Sequence, residues 1–140
     1  MKKIIWLLPL LYLASCKNND LSDPENGPQT YETGKSYRVG SSESEVGLKI
    51  LEIYESRCPK DAICVWYGYA GVKLEVSIGN RTFTDSLYTP AYLHMDLYKT
   101  KEFSAEGRKY SVTLDDVLPY PCAGCDKPAE QKAVLTVKPL

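Results

Sequence analysis

The sequence predicts an all-β domain of about seven or eight strands, either an antiparallel β-sandwich (Ig-like or similar) or a small barrel. Three observations lead there. Apolar residues beyond Lys35 recur with period two, as in Val72, Leu74, Val76 and Ile78 alternating with Lys73, Glu75 and Ser77. Turn residues punctuate these runs at short intervals, and no segment has the 3.6-residue period of a long amphipathic helix. Strand order decides between sandwich and barrel, and periodicity does not supply it.

The chain opens with a segment that is not part of this domain. Met1-Lys2-Lys3 is a positive start, Ile4 to Leu13 is largely apolar, and Leu13-Ala14-Ser15-Cys16 ends the run with small residues before a cysteine. A bilayer span needs about 20 apolar residues, so residues 1–15 read as a signal peptide. The ending resembles the lipobox of bacterial lipoproteins. That resemblance implies cleavage before Cys16, lipid on its sulfur, and attachment to a membrane through the acyl chains. It also implies that an aspartate after the cysteine would favour inner-membrane retention. Lys17 stands there, so the expected location is the outer membrane, facing the periplasm or the exterior.

Cleavage would leave 15 basic against 18 acidic residues. No basic patch appears, which argues against nucleic acid as a partner. The remaining 125 residues suit one domain. Residues 16–34 read as the lipidated cysteine and a flexible tether, because Asn, Asp, Ser, Pro and Gly dominate and little apolar surface repays ordering. The domain is then expected over 35–140.

Within it, Val46 to Tyr54 is strand-like, but Ile50-Leu51 breaks the alternation, which suggests a bulge or a strand buried on both sides. Val72–Ile78, the turn Gly79-Asn80 and Arg81–Thr84 form a hairpin signal with glycine at the first central position. Leu93–Leu97, Tyr110–Leu114 and Ala133–Val137 also alternate. A turn is expected after Leu114, where Asp115-Asp116 would place carboxylates on opposite faces of a continuing strand, a poor acid-base pair.

Ser56 to Ala62 reads as a loop, and Ile63-Cys64-Val65-Trp66 is expected to begin the next strand or a short bridge to it, so Cys58 and Cys64, six positions apart, sit at the two ends of one connection. In an exported chain, thiols so spaced are expected to oxidise to one another and staple the loop. Cys122 and Cys125, between Pro119-Tyr120-Pro121 and Asp126-Lys127-Pro128, read as an exposed loop disulfide. Four cysteines allow three pairings, and four thiolates also allow zinc. A thioredoxin-like redox site would need a helix after the first cysteine, and nothing near Cys122 has that pattern.

Ser56-Arg57-Cys58-Pro59, then Cys64-Val65-Trp66 and Gly68 ahead of an alternating strand, resembles a segment of small bacterial lipoproteins and secreted domains. There the usual wording is Ser-Arg-Cys-Pro, a spacer, then Cys-x-Trp-Ala-Gly. Tyr67 replaces the alanine and Gly68 is kept. The resemblance covers about 20 residues and implies a β-rich exported domain. It brings no catalytic residues.

Trp66, Tyr67, Tyr69 and Arg57 form the candidate binding cluster, with rings able to stack on a sugar or contact a protein. The competing expectation packs Trp66 in the core beside the staple, Tyr67 on the opposite face, and Arg57 as a cation-π or carbonyl partner. The chain has 11 Tyr against 2 Phe, so rings such as Tyr88, Tyr92, Tyr98 and Tyr120 are expected at the surface or on a rim. His94, the only histidine, reads as an exposed strand residue. No cofactor or catalytic motif occurs. The function expected from sequence is a non-enzymatic, lipid-anchored binding or assembly protein. The alternatives are a thiol-disulfide or metal protein built on the Cys122/Cys125 loop, and an inhibitor of an extracellular hydrolase presenting a loop such as Pro119–Pro128.

Overall fold

Eight strands in two four-stranded antiparallel sheets make up the domain in a computed structural model, which describes residues 27–41, 44–89, 98–125 and 130–140. In chain order they are β1 (Gln29–Glu32), β2 (Ser36–Val39), β3 (Val46–Glu55), β4 (Ala70–Ile78), β5 (Arg81–Tyr88), β6 (Thr100–Ala105), β7 (Arg108–Leu118) and β8 (Lys132–Pro139). One sheet has the order β2-β3-β4-β5, the other β1-β8-β7-β6. The architecture is a sandwich, not a closed barrel. The signal peptide, Cys16, the Leu93–Leu97 strand with His94, Tyr92 and residues 126–128 lie outside the described residues.

The core follows from alternation in the long strands. Val72, Leu74, Val76 and Ile78 of β4 face Val112, Leu114 and Val117 of β7, and all are fully buried. Each such side chain gains about 1.5 to 3 kcal/mol on leaving water. The hairpin β4–β5 turns at Gly79-Asn80 as expected, with Gly79 at φ 57°. The β6–β7 hairpin turns on Glu106-Gly107, both at positive φ, and the Glu106 carboxylate accepts the Asn80 N–H at 3.0 Å. These two turns therefore meet at one end of the sandwich.

Two bulges interrupt the long strands. The register of β3 against β4 shifts between Ile50 and Glu52, at the break in alternation visible in the sequence. The register of β7 against β8 shifts between Leu114 and Asp116. There the expected turn is replaced by a strand that continues to Leu118. Asp115 accepts from the Thr136 hydroxyl at 2.5 Å, while Asp116 turns to Arg57.

The start of the domain also needs correction. Residues 29–32, read as tether, form β1 along β8, and Tyr31 is only 2% exposed. Its ring packs edge-on against Tyr37 at 4.9 Å, and burial, then the neighbouring Tyr37, push its hydroxyl up to about 12. One aromatic in a polar stretch leaves no visible periodicity, so only its partners on other strands reveal the element. From β1 the chain crosses to the second sheet, where the Gly34 N–H donates to Ile50 O at 2.8 Å.

Candidate binding site at the disulfide-clasped end

Strands β3 and β4 do not stop pairing where their regular ladder ends. The Ser56 N–H donates to Tyr69 O at 2.9 Å and the Cys58 N–H to Tyr67 O at 2.8 Å, so the two strands continue as an arm off the end of the sandwich. Gly68, at φ 68°, makes this possible: a Cβ there would sit 1.8 Å from Ser56 O. Glycine at this position thus has a steric reason. Beyond it Cys58 and Cys64 close a ring, with Cα atoms 5.8 Å apart. Cys122 and Cys125 close the second ring, with Cα atoms 5.6 Å apart. Both local pairings agree with the staple reading, and the four sulfurs are thereby removed from zinc ligation. The two bonds suit an oxidising, non-cytoplasmic compartment.

The rings are fastened to each other. The Asp61 carboxylate, from the first ring, accepts the N–H groups of Ala123 at 2.7 Å and Gly124 at 2.9 Å in the second. Those two backbone donors hold its pKa below the usual aspartate value. The Lys60 N–H reaches Pro121 O at 3.2 Å. No sequence signal marks Asp61 for this role, because its partners lie some 60 positions away.

Arg57 sits beneath the clasp, with its side chain 9% exposed. Its Nε and Nη2 donate to the Glu55 carboxylate at 2.9 and 2.5 Å, Nη1 donates to Asp116 at 2.6 Å, and Nη2 also donates to Val117 O at 2.6 Å. The guanidinium lies over the Tyr120 ring, 4.3 Å from its centre. Burial opposes its charge, but the Glu55 and Asp116 carboxylates outweigh burial and raise its pKa. A guanidinium whose fork is committed in this way ties β3 to β7 and has little left to offer a ligand. The cation-π and carbonyl contacts expected for Arg57 are both present.

Trp66 differs from expectation. It does not pack in the core, and of the two expectations for Ile63–Trp66 the structure shows the short bridge and not the start of a strand, since β4 starts at Ala70. Relative exposure is 105% for Ile63, 96% for Val65, 82% for Trp66 and 70% for Tyr67. The arm has left the space between the sheets, so no opposing sheet faces these side chains. Tyr69, one turn of pairing closer to the domain, is half-buried and stacks edge-on against Tyr88 at 5.6 Å. Of the candidate cluster, Trp66 and Tyr67 are therefore brought together on an open tip, Tyr69 forms its base, and Arg57 is its foundation. Ile63 and Val65 belong to the same tip and were not singled out from sequence, because their apolar alternation with Cys64 mimics a strand. Tyr98 and Tyr120 are exposed as expected.

Among the described residues no group of three or more His, Cys, Asp or Glu side chains is arranged to hold a metal ion, and no helix is long and apolar enough to cross a membrane. No family model, curated protein or solved structure matches the chain.

Proposed function

We propose that this chain is a non-enzymatic binding module of the cell envelope, lipid-anchored through Cys16 at the outer membrane, that presents the 62–67 tip to a ligand. The observation that carries the binding role is the exposure of four consecutive-neighbourhood apolar and aromatic residues, Ile63, Val65, Trp66 and Tyr67, on an arm braced by two disulfides. Leaving such surface in water is unfavourable by roughly 25 cal/mol per Å², and contiguous exposed patches of this kind mark contact sites. Bracing means that little chain entropy remains to be lost on contact. The anchor rests on the lipobox-like sequence, with the oxidising compartment in its support.

The hydrolase-inhibitor reading shifts with the structure. The Cys122/Cys125 loop is engaged by Asp61 and Lys60, and the tip of the β3–β4 arm is a second protruding element that could enter a cleft.

Two measurements test the proposal. The parent should partition into the detergent phase and a Cys16→Ala variant should not; retention of the variant would remove the anchor. Trp66→Ala should unfold within about 0.5 kcal/mol of the parent, as surface substitutions do. A loss of several kcal/mol would mean that the ring serves the fold and would withdraw the tip as a site.

A further inference from the structure

We infer that the occupant of the arm tip is the bilayer itself: Ile63, Val65 and Trp66 enter the interfacial region of the membrane that carries the Cys16 lipid, giving the domain a second point of attachment. The inference rests on the anchored reading above and specifies what the tip meets.

Shape favours a lipid surface. Ile63 and Val65 are as open as in an extended peptide, so these side chains project outward from the tip. A projecting apolar tip needs a matching pocket on a protein but none on a bilayer, whose interface accepts any such shape. Chemistry agrees, because Trp and Tyr settle at the level of the headgroups, with the ring in apolar surroundings and the polar edge wet. At the base of the tip, the Asp61 carboxylate is already taken up by two backbone N–H groups, and exposed Lys60 stands beside it. An ammonium there suits an anionic headgroup.

Reach also permits it. Twelve residues separate Cys16 from Gln29, where β1 begins. Fully extended, a chain of that length reaches at most about 40 to 43 Å. Gln29 lies opposite Leu135, and Glu32 opposite Lys132, which is paired in turn with Leu118 at the clasped end. That is a rise of three residues, or about 10 Å along the strand. An anchor at Cys16 therefore permits the clasped end to meet the membrane that carries it. Tethering raises the effective concentration of lipid so far that weak insertion suffices.

The test uses the chain as purified from membranes, in a Trp6→Phe background so that Trp66 is the only indole, reconstituted into phosphatidylethanolamine and phosphatidylglycerol vesicles with and without brominated acyl chains. The mass of the same preparation reports whether Cys16 carries lipid. In vesicles the Trp66 emission should shift to the blue and be quenched by the brominated lipid. An Ile63→Ser/Val65→Ser variant, which leaves the core untouched, should keep red, unquenched emission. A lipidated chain whose Trp66 stays red in vesicles and is not quenched by brominated lipid overturns the inference while leaving the anchor intact, and returns the tip to a protein partner. A mass without lipid fails the anchored reading on which the inference rests, and overturns it as well.

Discussion

Replacing Arg57 by methionine is the perturbation with the largest expected effect outside the apolar core. Methionine keeps most of the aliphatic stem and removes the charge and every donor. Glu55, whose side chain is also only 9% exposed, then loses the partner that held both carboxylate oxygens, and Val117 O loses its donor. Breaking a buried pair from one side typically costs about 3 to 5 kcal/mol, and here the surviving carboxylate keeps only the backbone N–H of residue 57, at 2.9 Å, which places the cost toward the lower end. The half-exposed Asp116 adds little, as water can solvate it. Against a total stability of roughly 5 to 15 kcal/mol, this loss is a large share. With a urea dependence of about 1.5 kcal/mol per molar, the unfolding midpoint should fall by about 2 to 3 M. A double variant, Arg57→Met with Glu55→Met, should recover much of the loss, since no buried charge is stranded. A cost below about 1 kcal/mol for Arg57→Met would place the pair among ordinary surface ion pairs and refute its role as the tie between β3 and β7.

Three further outcomes are expected. Hydrogen bonds from Lys132 and then Lys35 hold the Glu32 carboxyl at about 2 instead of 4.5. A folded-state value below the unfolded one stabilises the protein above the ordinary glutamate range and is lost as pH falls toward 2. The advantage of the parent over Glu32→Gln should therefore be full near neutrality and vanish at about pH 2, and an advantage that persists there would contradict the assignment. Gly68→Ala should disrupt the arm, since its Cβ would overlap Ser56 O; faster hydrogen exchange at Ser56 and Cys58 reports this, and unchanged protection would refute it. Replacing Cys122 and Cys125 together by serine should lower stability by about 2 kcal/mol or less while the transition stays cooperative, because closing so short a ring restricts little of the unfolded chain. Loss of the cooperative transition would show that the clasp nucleates the fold.

Much of the architecture was legible because the signals were local. Alternation over Val72–Ile78 and the Gly79-Asn80 turn depend on side chains two residues apart and one backbone conformation, and both appear in β4 and β5 as read. The same holds for the Ile50-Leu51 bulge and for both disulfides, whose cysteines are close enough in sequence to find each other. Tyr31 in β1 escaped notice for the opposite reason. A single ring carries no period, and its burial comes from Tyr37 and β8, which the chain reaches later.

The tip shows the division most clearly. Residue type alone determined that 56–71 holds a stapled loop and a concentration of aromatic rings. The tertiary structure decided that the rings face outward. An apolar residue is buried only if another element covers it, and coverage is a property of where the second sheet ends. Trp66 lies past that edge, while Val72, a few residues along the same arm, lies inside it and is fully buried. Asp61 and Arg57 follow the same rule. Their charges were visible in the sequence, but their partners, two N–H groups near Cys122 and a carboxylate at the β7 bulge, were brought to them only when the sheets closed.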